Sequence, residues 1–366
     1  MAYTNIDDPS AYFQAALYTA TASAQSITND GNSDLQPDFI WFKRRNSTVV
    51  HAYFNSTTGN NKYLYTGNGD SPAEVTAGAG EGLQTFDSDG FSLGTYQGVT
   101  NASGGTYVAW QWKANAGTTS SNTDGTITST VQANQDAGFS IVTWTGNTTG
   151  SSQTIGHGLG AAPKTIIVKD RDSTSVWASY HEPLGTGKYL QLHSNAAEGS
   201  ISNYWSSTAP SSTVFGVIGD NGGVGYANNV RDNDMIAYCF AEKQGYSKFG
   251  SYIGNGNADG PFVYTGFKPA FVMFKRSSGG TQSWDIHDST RDPFNPMPRR
   301  LLPDLAYDEE TRPASGGSID CMDFLSNGFK IKSIETILNA SGGTFVYMAF
   351  AENPFVTSTG VPTTAR

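Results

Sequence analysis

Large apolar residues in this chain come in short runs rather than at helical spacing. The segments "FIWFK" (39–43), "YVAWQW" (107–112), "TIIVK" (165–169), "MIAYCF" (235–240), "FVMFK" (271–275) and "FVYMAF" (345–350) are β-branched and aromatic, bounded by clusters of Gly, Pro, Asn and Ser. Such runs predict strands closed by turns. A 3.6-residue apolar period is nearly absent; the best helical window, "DDPSAYFQAALYTA" (7–20), is short. The expected fold class is all-β, with several short strands per unit arranged as a β-sandwich or jelly roll.

The pattern repeats. "NASGGT" stands at 101–106 and again at 339–344, and Gly90-Phe91 recur at the same offset as Gly328-Phe329. Downstream, "YVAWQWKAN" (107–115) faces "FVYMAFAEN" (345–353), and "MIAYCFAEK" (235–243) supplies a third copy. Each of these strands has an earlier partner that opens on Pro and ends on Lys six residues later: "PDFIWFK" (37–43), "PKTIIVK" (163–169) and "PAFVMFK" (269–275). A long shared offset with a matched apolar pattern reads as duplication. We therefore expect three tandem β-sandwich, jelly-roll-like repeats: 1–115 with an amino-terminal arm, 137–247, and 248–356. Residues 116–136 form a Ser/Thr/Gly linker or an edge strand, and 357–366 a tail that is loose or crosses to a neighbour.

Composition narrows the function. Charged residues make up 15% of the 366, aromatics 12%, and Gly contributes 42, so the surface is expected to be hydroxyls and amides rather than charges. The net charge is −10 with no Lys/Arg run, which argues against nucleic acid as a partner. No run of about 18 apolar residues is present and "MAYTNIDDPS" lacks the marks of a secretory signal, so a soluble chain without membrane insertion is expected. Cys239 and Cys321 are too few for a disulfide framework and are expected to be reduced.

Few residues suggest chemistry. In "SWDIHDSTRD" (283–292), Asp285 and His287 would share one strand face near Asp288, an arrangement that suits metal ligation, but the other repeats have no counterpart. The acid pairs Asp87/Asp89 and Glu309/Glu310 lie in polar, turn-like stretches, and "IGHGLGAAP" (155–163) lacks the Lys-Ser/Thr of a phosphate loop. No catalytic residue, metal or cofactor is expected. Trp41, Trp110, Trp112 and Trp144 fall inside strand patterns and are expected in the core. Trp177, Trp205 and Trp284, with Tyr180 and His181, sit among polar neighbours, and flat aromatic faces of this kind bind sugar rings. These five are the candidate glycan- or receptor-binding residues, on the segments 46–86, 173–213 and 277–325 that vary between repeats.

The stretches "MAYTNIDDPSAYFQ", "AGFSIVTWTGN", "IGHGLGAAPKTIIVK" and above all "YSKFGSYIGNGNADGPFVYTGFKPAFVMFKR" resemble a domain family of unassigned function found in virion and tail structural proteins of marine tailed phages. The resemblance implies a phage structural protein in a tail fibre, spike or capsid appendage, located in the virion with other virion proteins as partners; the aromatic candidates add a host-surface glycan as an expected partner. It supplies no catalytic residue. Alternatives are a capsid-decorating or connector protein and, less in keeping with the residues, a polysaccharide depolymerase. Exposed sheet edges and a charge-poor surface lead us to expect a homo-oligomer, a trimer.

Overall fold

Three large antiparallel sheets share one strand order. In the first, Phe13–Thr19 lies beside Thr106–Trp112, then Phe39–Arg44, then His51–Asn55. In the second the same order runs Phe139–Thr145, Asp234–Phe240, Thr165–Asp170 and Ala178–His181, and in the third Ser247–Ile253, Thr344–Pro354, Phe267–Arg276 and Trp284–Asp288. The computed structural model describes residues 3–67, 69, 71–147, 152–200, 204–218, 229–311 and 321–363. Parts of the variable segments and of the tail, at 68, 70, 201–203, 312–320 and 364–366, lie outside the described residues. The fold class is all-β; among the described residues the α-helix is confined to the single turn Thr336–Asn339.

Each large sheet is backed by a small one: Gln25–Ile27, Gly90–Leu93 and Leu83–Asp87; Ser152–Gly156 with Val214–Ile218; and Phe262–Tyr264, Gly328–Ile331 and Met322–Leu325. Between each pair lies a separate apolar core. The duplicated glycines explain themselves here. A Cβ on Gly90 would lie 2.0 Å from the Ile27 carbonyl oxygen, and one on Gly328 would lie 2.1 Å from that of Val263. Only glycine lets the small-sheet strands approach so closely. The duplicated Asn101 and Asn339 are buried, and each Oδ1 accepts from the turn after the opening strand, Thr21 N at 3.2 Å and Asn255 N at 2.8 Å.

A fourth core joins all three large sheets. Trp112, Phe240 and Phe350 hold matching register positions, each facing the first paired residue of its opening strand: Phe13, Phe139 and Ser247. Their rings meet one another, with centroids 6.4 Å apart for Trp112 and Phe240, 5.5 Å for Trp112 and Phe350, and 5.9 Å for Phe240 and Phe350. The apolar cluster around this triangle takes residues from each of the three large sheets. Trp41 and Trp110 belong to it, while Trp144 lies in the core behind the second sheet.

One local reading changes. The window 7–20 is not a helix: Pro9–Ala11 makes a 3-10 turn capped by Asp8, and Phe13–Thr19 is a strand. Its Ala and Leu positions suit a helix in isolation, yet pairing along Thr106–Trp112 and burial of Phe13 and Tyr18 decide otherwise. Within 116–136, Ser120–Asn122 and Ser129–Asn134 are strands, the latter paired to Phe139–Thr145.

Candidate functional site

The five candidate aromatic-site residues are all in the interior. Trp177 is fully buried and packs on Tyr53 of the first sheet, centroids 4.7 Å apart. Tyr180 and Trp205 pack edge to face at 5.7 Å within the second sheet's core. His181 Nε2 lies 2.9 Å from the Tyr347 carbonyl oxygen, and Trp284 Nε1 donates to the Gln191 carbonyl at 2.8 Å. Burial holds the His181 imidazole down at a pKa of about 4, so it stays neutral. The expectation that these side chains present a receptor face is corrected: they pack sheet against sheet, with no ring face open to solvent.

The acidic and histidine cluster is interior too. Asp285 and His287 do share a face, with Oδ1 and Nε2 3.3 Å apart, and His287 stacks on Phe274. Strand alternation sends Asp288 to the opposite face, where it accepts from Trp110 Nε1 at 3.0 Å and pairs with buried Arg291 at 2.5 Å. Among the described residues no three potential ligands gather in metal-binding geometry. Glu309 is not a solvated acid: it takes Arg45 at 2.8 Å and Arg291 at 3.2 Å.

Glu309 belongs to a set the sequence reading missed. Its N–H donates to the Arg45 carbonyl at 2.7 Å, joining the third unit to the first. Glu74 N donates to the Arg171 carbonyl at 2.6 Å between first and second, and Glu198 N to the Ser277 carbonyl at 2.9 Å between second and third. In every case the acceptor stands two residues after the Lys of the Pro-Lys strand. Those lysines, Lys43, Lys169 and Lys275, are buried, and each ammonium donates to backbone carbonyls. Lys43 reaches Ala306 O at 3.1 Å and Lys275 reaches Asn195 O at 3.1 Å, each across a junction. Desolvation brings their pKa values down to about 7 for Lys43 and about 8 for Lys169 and Lys275. The three units thus close a ring, first to second to third and back. The signal in the sequence was the polar residue after each Lys, in "KRR", "KDR" and "KRS".

Surface chemistry gathers at the mouth of the third unit. Phe262 and Tyr264 are 45% and 54% exposed on one face of their strand, with Val263 turned inward. A groove of about 220 Å³ beside Tyr264 is lined by Tyr3, Glu242, Gln244, Ser247 and Lys248. Tyr3 crosses it, its hydroxyl donating to the Gly266 carbonyl at 2.7 Å and lying 3.3 Å from the Tyr264 hydroxyl. Lys248 Nζ donates to Glu242 Oε1 at 2.7 Å. Beyond Tyr3 and Gln244 a second hollow of about 410 Å³ continues past Tyr12, Asp136 and Lys243. Aromatic faces beside an acid, an amide and an ammonium can stack on an apolar ring face and bond its hydroxyls.

Residues 8–354 match a family model described as a domain of unknown function (DUF7483), and the chain belongs to that family. No curated protein and no solved structure matches it.

Proposed function

We propose that the chain is a phage virion structural protein, a component of a tail fibre, spike or appendage, and that its work is attachment to the host surface. The resemblance of its sequence to virion and tail proteins supports the setting. The observation that carries the attachment reading is the Tyr264 groove, where this exposed ring stands beside Glu242, Gln244 and Lys248 on a sandwich edge. Its ligand in this reading is a host-surface glycan. Other virion proteins are the further partners, and nucleic acid is not among them, given a net charge of −10. Among the described residues no helix is long and apolar enough to cross a membrane. The trimer expected from the sequence rested on exposed sheet edges and a charge-poor surface; in this reading the three units that close on one another within one chain take the place of three chains. We therefore propose a monomer as the working unit.

The test is retention of the purified chain on host cells or their surface polysaccharide. Wild type binds, and Tyr264→Ala together with Phe262→Ala lowers binding at least tenfold without unfolding. Equal binding by the variant contradicts the site. Release of reducing ends from the polysaccharide would instead favour a depolymerase.

A further inference from the structure

The three large sheets share four strands in one order and differ, among other places, at the edge beside the opening strand. In the second, Ser129–Asn134 runs antiparallel along Phe139–Thr145, with Gln132 facing Ile141 and Asn134 facing Phe139. Register equates Phe139 with Phe13 and Ser247, because each is paired with a member of the Trp112, Phe240 and Phe350 triangle. In the first and third sheets no described strand lies along the corresponding edge.

The direction of the open hydrogen-bonding groups follows from neighbouring bonds. Lys113 N donates to the Tyr12 carbonyl and Ala20 N to that of Gly105, so even-numbered residues of Phe13–Thr19 bond into the sheet. Ladder bonds alternate in antiparallel pairs, and Ala15, Leu17 and Thr19 therefore aim their N–H and C=O groups outward. In the third sheet the bonds Ala351 N to Tyr246 O and Gly254 N to Gly343 O leave Phe249, Ser251 and Ile253 outward in the same way. Among the described residues no other backbone group bonds to these positions. Apolar side chains are also exposed there, Leu17 at 40% and Ile253 at 65%. An unpaired edge carrying exposed apolar residues is one that natural proteins normally cover.

We propose that the edges of Ser247–Ile253 and Phe13–Thr19 are seats for a strand donated by a partner polypeptide. The occupant is an extended, uncharged segment rich in Ser, Thr and β-branched residues. The chain itself supplies the precedent, since "TITSTVQAN" (126–134) contributes that kind of strand to the second sheet. Main-chain bonds hold such an added strand, and alternate side chains select it. This inference does not rest on the glycan reading, which concerns the Tyr264 groove.

The experiment uses full-length protein and a fluorescent synthetic peptide of residues 126–134. Anisotropy is expected to show saturable binding. Ser251→Pro with Leu17→Pro, which removes one outward donor from each edge, weakens binding at least tenfold, as does the milder pair Ile253→Lys with Leu17→Lys. Hydrogen exchange on the wild type gives a readout free of folding effects: the amides of Leu17, Thr19, Ser251 and Ile253 exchange fast alone and slowly with peptide. No binding, binding indifferent to both variant pairs, or protection elsewhere overturns the proposal. So does protection of these amides without peptide that grows with protein concentration, which would make a second copy the occupant. Tyr264→Ala leaves peptide binding unchanged, separating this seat from the glycan site.

Discussion

Trp112 and Phe350, far apart in the chain, hold the same register position in two sheets and meet edge to face with ring centroids 5.5 Å apart. Phe240 completes the triangle. Removing a ring at the meeting point of three sheets leaves a cavity that none can fill alone. Trp112→Ala is expected to cost about 3–5 kcal/mol, measured by chemical denaturation. A cost below about 1 kcal/mol would mean that the sheets do not lean on one another there.

The junction acid Glu309 makes a second case. It faces Arg45 and fully buried Arg291, and although Asp288 still pairs with Arg291, Glu309→Ala leaves part of a buried charge uncompensated. The expected loss is about 3 kcal/mol, at the lower end for a broken buried pair. Glu182→Ala, which removes an exposed partner of Lys164, is expected to change stability by less than about 1 kcal/mol. Similar losses in the two variants would count against the closed ring.

Much of this architecture was legible beforehand, for a physical reason. Runs such as Phe39–Lys43 and Phe345–Phe350 are buried on both faces, so strand, repeat and core coincide in the sequence. Trp177 and Trp284 misled because their neighbours in sequence are polar; what buries them arrives from another sheet, through Tyr53 and Gln191. Glu74, Glu198 and Glu309 looked like any solvated acid, and only the ring closure distinguishes them. Phe262 and Tyr264 carried a readable alternation around Val263, but the strand is three residues long and Tyr3 reaches it from the far end of the chain.

The corrected placement of the aromatics yields opposite outcomes for two substitutions. Trp177→Ala, in the core, is expected to cost about 3–5 kcal/mol. Tyr264→Ala, on the surface, is expected to stay within about 0.5 kcal/mol of wild type while host-cell binding falls. Calorimetry and a binding assay on both variants check this, and unchanged stability in Trp177→Ala would return that residue to the surface.

Buried lysines set a pH dependence. Desolvation lowers Lys43 to about 7 and Lys169 and Lys275 to about 8, against about 10.4 in an unfolded chain. Across the interval between those values the folded state holds fewer protons than the unfolded state, so stability rises with pH from about 7 to about 9.5. Urea titrations at pH 7 and 9.5 should show a higher midpoint at the upper pH, and Lys43→Met should flatten part of the rise. A falling midpoint would contradict the assignment.

The proposed working unit is checked by light scattering at micromolar concentration, which is expected to give the mass of one chain, 39.0 kDa. A mass near three chains would restore the homotrimer.

The central claim, three sheets closed into one body around a common aromatic core, is tested most directly by scanning calorimetry of the intact chain. A single transition is expected, with calorimetric and van't Hoff enthalpies in a ratio near one. Resolved transitions, or a calorimetric enthalpy about three times the van't Hoff value, would mean that three units unfold independently and would contradict the closed ring.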